Sequence, residues 1–252
     1  VLLVIDVGNT QTVIGLYADA SDDLVDHWRI HTSAERTADE YALVLQELLA
    51  FHGLTIGGAL DGVAVASVVP RVTQALRGFC ERYVRAPAVV VGPGVRTGMP
   101  ILYLDPKEVG ADRIAGAIGA VDRYGGPVVV VDFGTATTFD CVSAKGEFLG
   151  GAIVPGLVIG LDALFARAAG LRRVELAAPA RVVGRTTAEA IQAGAVYGYA
   201  GLVDGLLDRY EAELGVGTVV ATGGLAELVV PHVRRPVELD PWLTLHGLRL
   251  IH

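Results

Sequence analysis

Asp6-Val7-Gly8-Asn9-Thr10-Gln11-Thr12, near the start of the chain, has a counterpart in Asp132-Phe133-Gly134-Thr135-Ala136-Thr137-Thr138. Each phrase follows a short apolar run, Leu2 to Ile5 in the first case and Val128 to Val131 in the second. The two aspartates, at 6 and 132, stand 126 residues apart, half of the 252-residue chain. A repeat at that spacing predicts a duplicated domain. An Asp at a strand end, then Gly, then small hydroxyl or amide residues, makes a tight turn with exposed backbone N–H groups and one carboxylate. Such a turn can cradle a phosphate while the carboxylate holds its metal ion. A single copy would read as an ordinary hairpin turn. Two copies at equal offset, each behind a buried strand, favour phosphate, and two facing turns would grip a nucleoside triphosphate from both sides.

Composition narrows the function classes. With 52% hydrophobic residues the chain can bury ample core without a disulfide or structural metal. Cys80 and Cys141 form no C-x-x-C and read as small buried hydrophobes in a reducing compartment. The six histidines form no metal pattern, and most are expected on the surface or in loops. No segment reaches the roughly 18 apolar residues of a membrane helix. The apolar start is cut off at Asp6 and reads as a strand, not a secretory leader, so a cytoplasmic location is expected. A net charge of −8 argues against nucleic acid as a partner. Lysine occurs only at Lys107 and Lys145, and a G-x-x-x-x-G-K-[ST] loop is absent. Bound phosphate must then be met by backbone amides and a cation.

The first half reads as strands over 1–7, 12–18 and 25–32, a helix to about 51, a strand over 62–66, a helix over 70–83 and a strand over 88–91. Thr37-Ala38-Asp39-Glu40 predicts a capping box for the first helix. Asp105-Pro106-Lys107-Glu108 predicts the start of another. The second half repeats the order: strands over 128–132, 137–143 and 147–153, helices from about 157 and over 186–214, a strand over 218–222, and a helix from 225. The join near Tyr124-Gly125-Gly126-Pro127 divides the chain into domains 1–124 and 125–252.

Two further phrases carry chemistry. Ala221-Thr222-Gly223-Gly224 follows a strand; a Gly-Gly there often only joins strand to helix, but beside phosphate turns it suits an adenosine or phosphate contact. Gly110-Ala111-Asp112-Arg113 lies near a helix start, just before the domain join. On chemistry alone Asp112 and Arg113 read as a solvated pair. Their position raises another role, with the carboxylate accepting a proton from an attacking hydroxyl and the guanidinium holding an anion or a transferring phosphoryl group.

These elements, in this order, resemble the actin-like ATPase fold of sugar kinases, Hsp70 chaperones and actin. Within it the chain is most similar to the type III pantothenate kinases, over essentially its whole length. The resemblance rests on Asp6 to Thr10, on Gly110-Ala111-Asp112-Arg113, on Asp132 to Thr137, on Gly150-Gly151-Ala152-Ile153-Val154-Pro155-Gly156, and on Thr187 with Ala190-Ile191-Gln192. The Gly-Ala-Asp-Arg phrase discriminates best, because generic members of the fold lack it at this place.

The resemblance implies an α/β chain of duplicated ribonuclease H-like domains, each a mixed five-stranded sheet with flanking helices. It implies transfer of the ATP γ-phosphoryl group to the primary hydroxyl of pantothenate, the first step of coenzyme A synthesis. Asp112 is then the proton acceptor and Arg113 its catalytic neighbour. Asp6, Val7, Gly8, Asn9, Thr10, Gln11, Thr12 and Val13 surround the ATP phosphates, with Asp6 holding Mg²⁺. Thr135, Gly223 and Gly224 meet the nucleotide, and Asp132 binds K⁺ or NH₄⁺. Tyr103, Gly110 to Arg113 and Thr187 bind pantothenate, with the site at a homodimer interface. No key residue of these positions is lost, and no function attaches to His246. Thr186-Thr187-Ala188-Glu189 is itself a capping-box sequence, which places Thr187 where free N–H groups attract a carboxylate; simple helix capping is the alternative. Other readings are a small-alcohol or sugar kinase of the same fold, or a nucleotide-gated regulator.

Overall fold

The computed structural model describes residues 1–18, 23–168, 170–215 and 217–252. These form two units, Val1–Arg123 with Trp242–His252, and Tyr124–Pro241.

In the first unit β1 (Leu2–Val7) is the central strand, flanked by antiparallel β2 (Gln11–Tyr17) and parallel β4 (Gly62–Ser67). Antiparallel β3 (Leu24–His31) and parallel β5 (Ala88–Val90) complete the order β3-β2-β1-β4-β5. The near-continuous apolar runs of β1 and β4 fit strands covered on both faces. On one face Leu3, Ile5, Val7, Val63 and Val65 pack against Tyr41, Leu45 and Leu49 of α1 (Ala38–Ala50). They also meet Val72, Leu76 and Phe79 of α3 (Pro70–Tyr83), and the one-turn α2 (Ile56–Ala59) lies between these helices in sequence. The α3 residues recur at i, i+4 and i+7, the spacing of one buried helix stripe. The α1 capping box is complete: Glu40 N donates to Thr37 Oγ1, and Thr37 N donates to Glu40 Oε2 at 2.7 Å.

The other face carries Val4, Ala64 and Ala66, covered by Ala111 and Ala115 of α4 (Ala111–Tyr124) and by Leu245 and Leu248 of α8 (Leu243–Ile251). The two helices touch backbone to backbone. A Cβ on Gly119 would stand 2.5 Å from Leu243 O, and one on Gly247 would overlap Ala115 O. His246 Nε2 lies 2.8 Å from Asp122 Oδ2, joining the same pair of helices.

The second unit repeats the plan. Central β6 (Val128–Phe133) pairs antiparallel with β7 (Ala136–Val142) and parallel with β9 (Thr218–Thr222). With β8 (Phe148–Pro155) and β10 (Glu238–Leu239) the order is β10-β9-β6-β7-β8. Val131, Phe133, Phe139, Val219 and Ala221 pack against Ala195, Ala200, Val203 and Leu207 of α6 (Thr187–Leu214) and Leu157 of α5 (Leu157–Arg167). The order three strands, helix, strand therefore occurs twice, as expected.

Several local expectations differ. Asp105-Pro106-Lys107-Glu108 does not open the long helix. Asp105 Oδ1 accepts from Lys107 N at 3.0 Å and caps only a 3₁₀ turn, Pro106–Glu108. Val109 is extended, and α4 begins at Ala111. The helix expected from 225 is the short α7 (Ala226–Val229), followed by a 3₁₀ turn over Val230–His232. Pro231 lacks an N–H to continue an α-helix. The closing Glu189 arm of the Thr186 capping box reaches Arg185 N (2.7 Å), one residue early, while Glu189 N donates to Thr186 Oγ1 at 3.2 Å. Both cysteines are buried thiols. His246, only 1% exposed, is the exception among the histidines.

Candidate active site

In the first unit the Asp6 phrase forms the turn between β1 and β2. Gly8 N donates to Gln11 O (3.0 Å), Thr32 N to Thr10 O (3.0 Å), and Thr32 Oγ1 to Gly8 O (2.8 Å). The Thr12 and Thr32 hydroxyls lie 2.9 Å apart, and both residues are buried. The loop carbonyls are thus tied back by the residue that follows β3, while Asn9, Thr10 and Gln11 stay exposed. In the sequence Thr32 reads only as the end of a strand.

Asp6 is half-buried, with Oδ1 sealed from solvent. Its cross-strand neighbours are Val13 and Ala66. Asp6 shares its sheet face with Val4 and Ala66, on which Ala111 of α4 packs. The structure therefore brings Asp6 and the Gly110–Arg113 phrase to one face of one sheet.

Ile114 N donates to Gly110 O at 3.1 Å, which makes Gly110 the N-cap of α4 and Asp112 its second helical residue. Arg113 N donates to Asp112 Oδ1 at 2.8 Å. Burial pushes the Asp112 carboxyl above the ordinary aspartate range, and the Arg113 N–H and guanidinium charge pull against it. A half-buried carboxylate held at a helix start, with its proton affinity raised, is equipped to accept a proton. Tyr103 is half-buried, three residues before the Pro106–Glu108 turn.

The turn of the second unit is not a copy of the first. Val7 pairs with Thr12, whereas Phe133 pairs with Thr137, so the second loop is one residue shorter. Opposite Asp6 stands the aliphatic Val13; opposite Asp132 stands the hydroxyl of Thr138. Asp132 also neighbours Thr222 on β9, and Thr138 Oγ1 donates to the buried Asp140 Oδ2 at 3.3 Å. This face is rich in hydroxyl and carboxylate oxygens.

Gly223, at φ +90°, closes in on the same turn: a Cβ there would overlap Asp132 Oδ1 and stand 2.7 Å from Phe133 N and C. Gly156, the N-cap of α5, approaches from another side, its N–H donating to Thr135 O at 3.1 Å. Asp132, Thr135 and Gly223 are thus gathered in one place. Thr187, exposed in the first turn of α6, lies instead on a groove of 470 Å³ with Leu157, Leu161, Leu164, Ile191 and Tyr199.

The family described as type III pantothenate kinase matches residues 2–209. The chain belongs to the type III pantothenate kinase family. It is 54% identical to the type III pantothenate kinase of Streptomyces avermitilis, over all of this chain and 97% of that protein. It is 51% identical to that of Moorella thermoacetica, over all of this chain and 98% of that protein. Among solved structures it is similar to a conserved putative Baf family transcriptional activator from Campylobacter jejuni (TM-score 0.62, 18% identity, 99% and 96% of the two chains). It is also similar to an inorganic polyphosphate/ATP-glucomannokinase from Arthrobacter sp. strain KM (TM-score 0.55, 17% identity, 99% and 96% covered). At those identities the likeness shows the shared fold, a duplicated α/β kinase fold of the actin-like type. Membership of a kinase family brings ATP and a divalent metal ion with it.

Proposed function

We propose that this chain is an ATP-dependent pantothenate kinase: it transfers the γ-phosphoryl group of ATP to the primary hydroxyl of pantothenate, giving 4'-phosphopantothenate and ADP. The observation that carries this reading is Asp112, a half-buried carboxylate of raised proton affinity, next to Ala111, which packs on the sheet face of Asp6. Asp112 takes the proton of the attacking hydroxyl, a new O–P bond forms to the γ-phosphorus, and the bond to the ADP oxygen breaks. Arg113 neutralises charge on the transferring group or on the pantothenate carboxylate. Tyr103, Gly110, Ala111 and Thr187 complete the pantothenate contacts.

The residues fit the ions this chemistry uses. Asp6, a half-buried carboxylate at the end of β1 beside the Gly8–Gln11 turn, suits Mg²⁺ held on one carboxylate and water. When bound, that ion offsets phosphate charge. Asp132, next to Thr138 and Thr222, suits a monovalent ion that takes neutral as well as charged oxygens, K⁺ or NH₄⁺. The Asp6–Val13 segment lies along the phosphates, and Thr135, Gly223 and Gly224 lie against the nucleotide.

The α5–α6 groove supports a homodimer. Val158, Ile159 and Leu164 are exposed on α5, and Thr187 opens onto the same groove. A second copy covering that apolar surface would place Thr187 in a shared site. No helix among the described residues is long and apolar enough to cross a membrane, and we place the enzyme in the cytoplasm with its domain join near residue 124. The test is ADP release with Mg²⁺ and K⁺, with and without pantothenate and against a panel of sugars and small alcohols. Turnover that ignores pantothenate rejects the assignment.

A further inference from the structure

Behind the first phosphate turn lies a polar cluster that the mechanism above does not use. Thr37 is the N-cap of α1, so Arg36 and Tyr41 occupy the N′ and N4 positions. Apolar residues commonly meet there as a staple. Here the guanidinium carbon of Arg36 instead lies 5.3 Å from the centre of the Tyr41 ring. Tyr41 is 1% exposed, and its hydroxyl makes no well-aligned hydrogen bond, with Arg36 and Thr12 as polar neighbours. Arg36 Nη1 is also buried without a partner.

Two buried polar atoms left open side by side are costly unless something else satisfies or uses them. Their surroundings point to the turn. Burial weakens the acidity of the Tyr41 hydroxyl, while the charge of Arg36 and the nearness of Arg36 and Thr12 act the other way. Thr12 meets Thr32, and Thr32 Oγ1 donates to Gly8 O. Polar side chains thus adjoin one another from Arg36 past Tyr41 to Thr12, and hydrogen bonds link Thr12 through Thr32 to the loop carbonyl. Glu40 feels the charge of Arg36, but its carboxylate is held by Thr37 N and Oγ1. No lysine lies on this loop.

We propose that Arg36, acting through Tyr41 and the Thr12–Thr32 pair, is a positioning residue for the Gly8–Gln11 turn: it braces the loop from behind and lends it the positive potential that a lysine supplies in other phosphate loops. This rests on the reading of the turn as the ATP phosphate site. Arg36 serves nucleotide binding, not proton transfer.

The experiment is steady-state ADP release by Arg36→Met, Arg36→Lys, Thr32→Val and Asp6→Asn, with a thermal melt of each. Methionine keeps a stem over the Tyr41 ring but removes the charge and the donors. Arg36→Met is expected to raise the KM for ATP about tenfold with kcat nearly unchanged, the size of one charge-assisted contact. Arg36→Lys restores most of it, and Thr32→Val, which removes the hydroxyl on Gly8 O, reproduces it even should Arg36→Met fail to fold. An unchanged KM in Arg36→Met and Thr32→Val, while Asp6→Asn loses ATP turnover, reduces Arg36 to a helix staple and overturns the inference alone. Should Asp6→Asn also leave ATP use intact, the phosphate reading of the turn falls and the inference falls with it.

Discussion

A Cβ on Gly110 would stand 2.5 Å from Oδ1 of Asp112, so the glycine at the α4 N-cap is the space in which that carboxylate lies. The carboxylate is in turn fixed by the Arg113 N–H. Glycine here has an ordinary backbone conformation; what matters is the missing side chain. Gly110→Ala is therefore expected to push Asp112 off its position while α4 still forms. Displacement of a reacting group by about 1 Å can cost on the order of a hundredfold in rate. Steady-state kcat, beside an unchanged far-UV spectrum, checks it.

Asp112→Asn is expected to lower turnover by about 10²–10⁴-fold, the usual contribution of a general base. Its stability should not fall with it. Burial raises the folded-state value of this carboxyl above its unfolded value, so its stabilising contribution is complete below the unfolded value and lost as pH rises through the folded one. At neutral pH the charged carboxylate works against the fold. Melting of Asp112→Asn should match or exceed the parent at pH 7, and the difference should vanish in acid. In the parent, the acid limb of the rate profile should lie above the ordinary aspartate range.

Gly223→Ala combines a backbone at φ +90° with a Cβ that meets Asp132 Oδ1 and the Phe133 backbone. The strain should cost about 1–3 kcal/mol. On the proposed role of Asp132, activation by K⁺ or NH₄⁺ should be lost before ATP turnover in Mg²⁺ alone. A K⁺ titration of initial rate separates the two effects.

Gly247→Ala places a methyl on Ala115 O, where α8 and α4 touch. Overpacking of this kind costs about 1–3 kcal/mol. Denaturant midpoints should show it, and kcat should fall with it because α4 carries Asp112.

Leu164→Glu puts a charge in the α5–α6 groove. On the proposed dimer, sedimentation velocity should show a dimer for the parent and a monomer for the variant, with the KM for pantothenate raised because Thr187 borders that groove.

The Asp-x-Gly phrases were legible because a buried strand followed by Asp and Gly is a local pattern, and the Thr37 box because its partners are three residues apart. The difference between the two turns was not. Counting along the chain sets Thr138 against Thr12, whereas the strand pairing sets Thr137 there, both threonines being buried beside the first residue after Asp. A loop one residue shorter leaves no mark in composition. The brace at Arg36 was hidden because a cation before a cap reads as solvated surface. The packing of α8 leaves little local mark because its apolar residues surround a glycine and a histidine, whose reasons, Ala115 and Asp122, lie more than a hundred positions earlier.

That return of the chain also sets an order of events during synthesis. Residues 1–123 emerge first and can form their sheet, the α1–α3 side and α4, yet the cover over Val4, Ala64 and Ala66 is completed only by Leu245 and Leu248. The earlier-made unit is thus completed last, after the whole of Tyr124–Pro241 has been translated. A ribosome stalled anywhere before residue 242 would display a half-covered sheet, and the helix bearing Asp112 would still lack its brace.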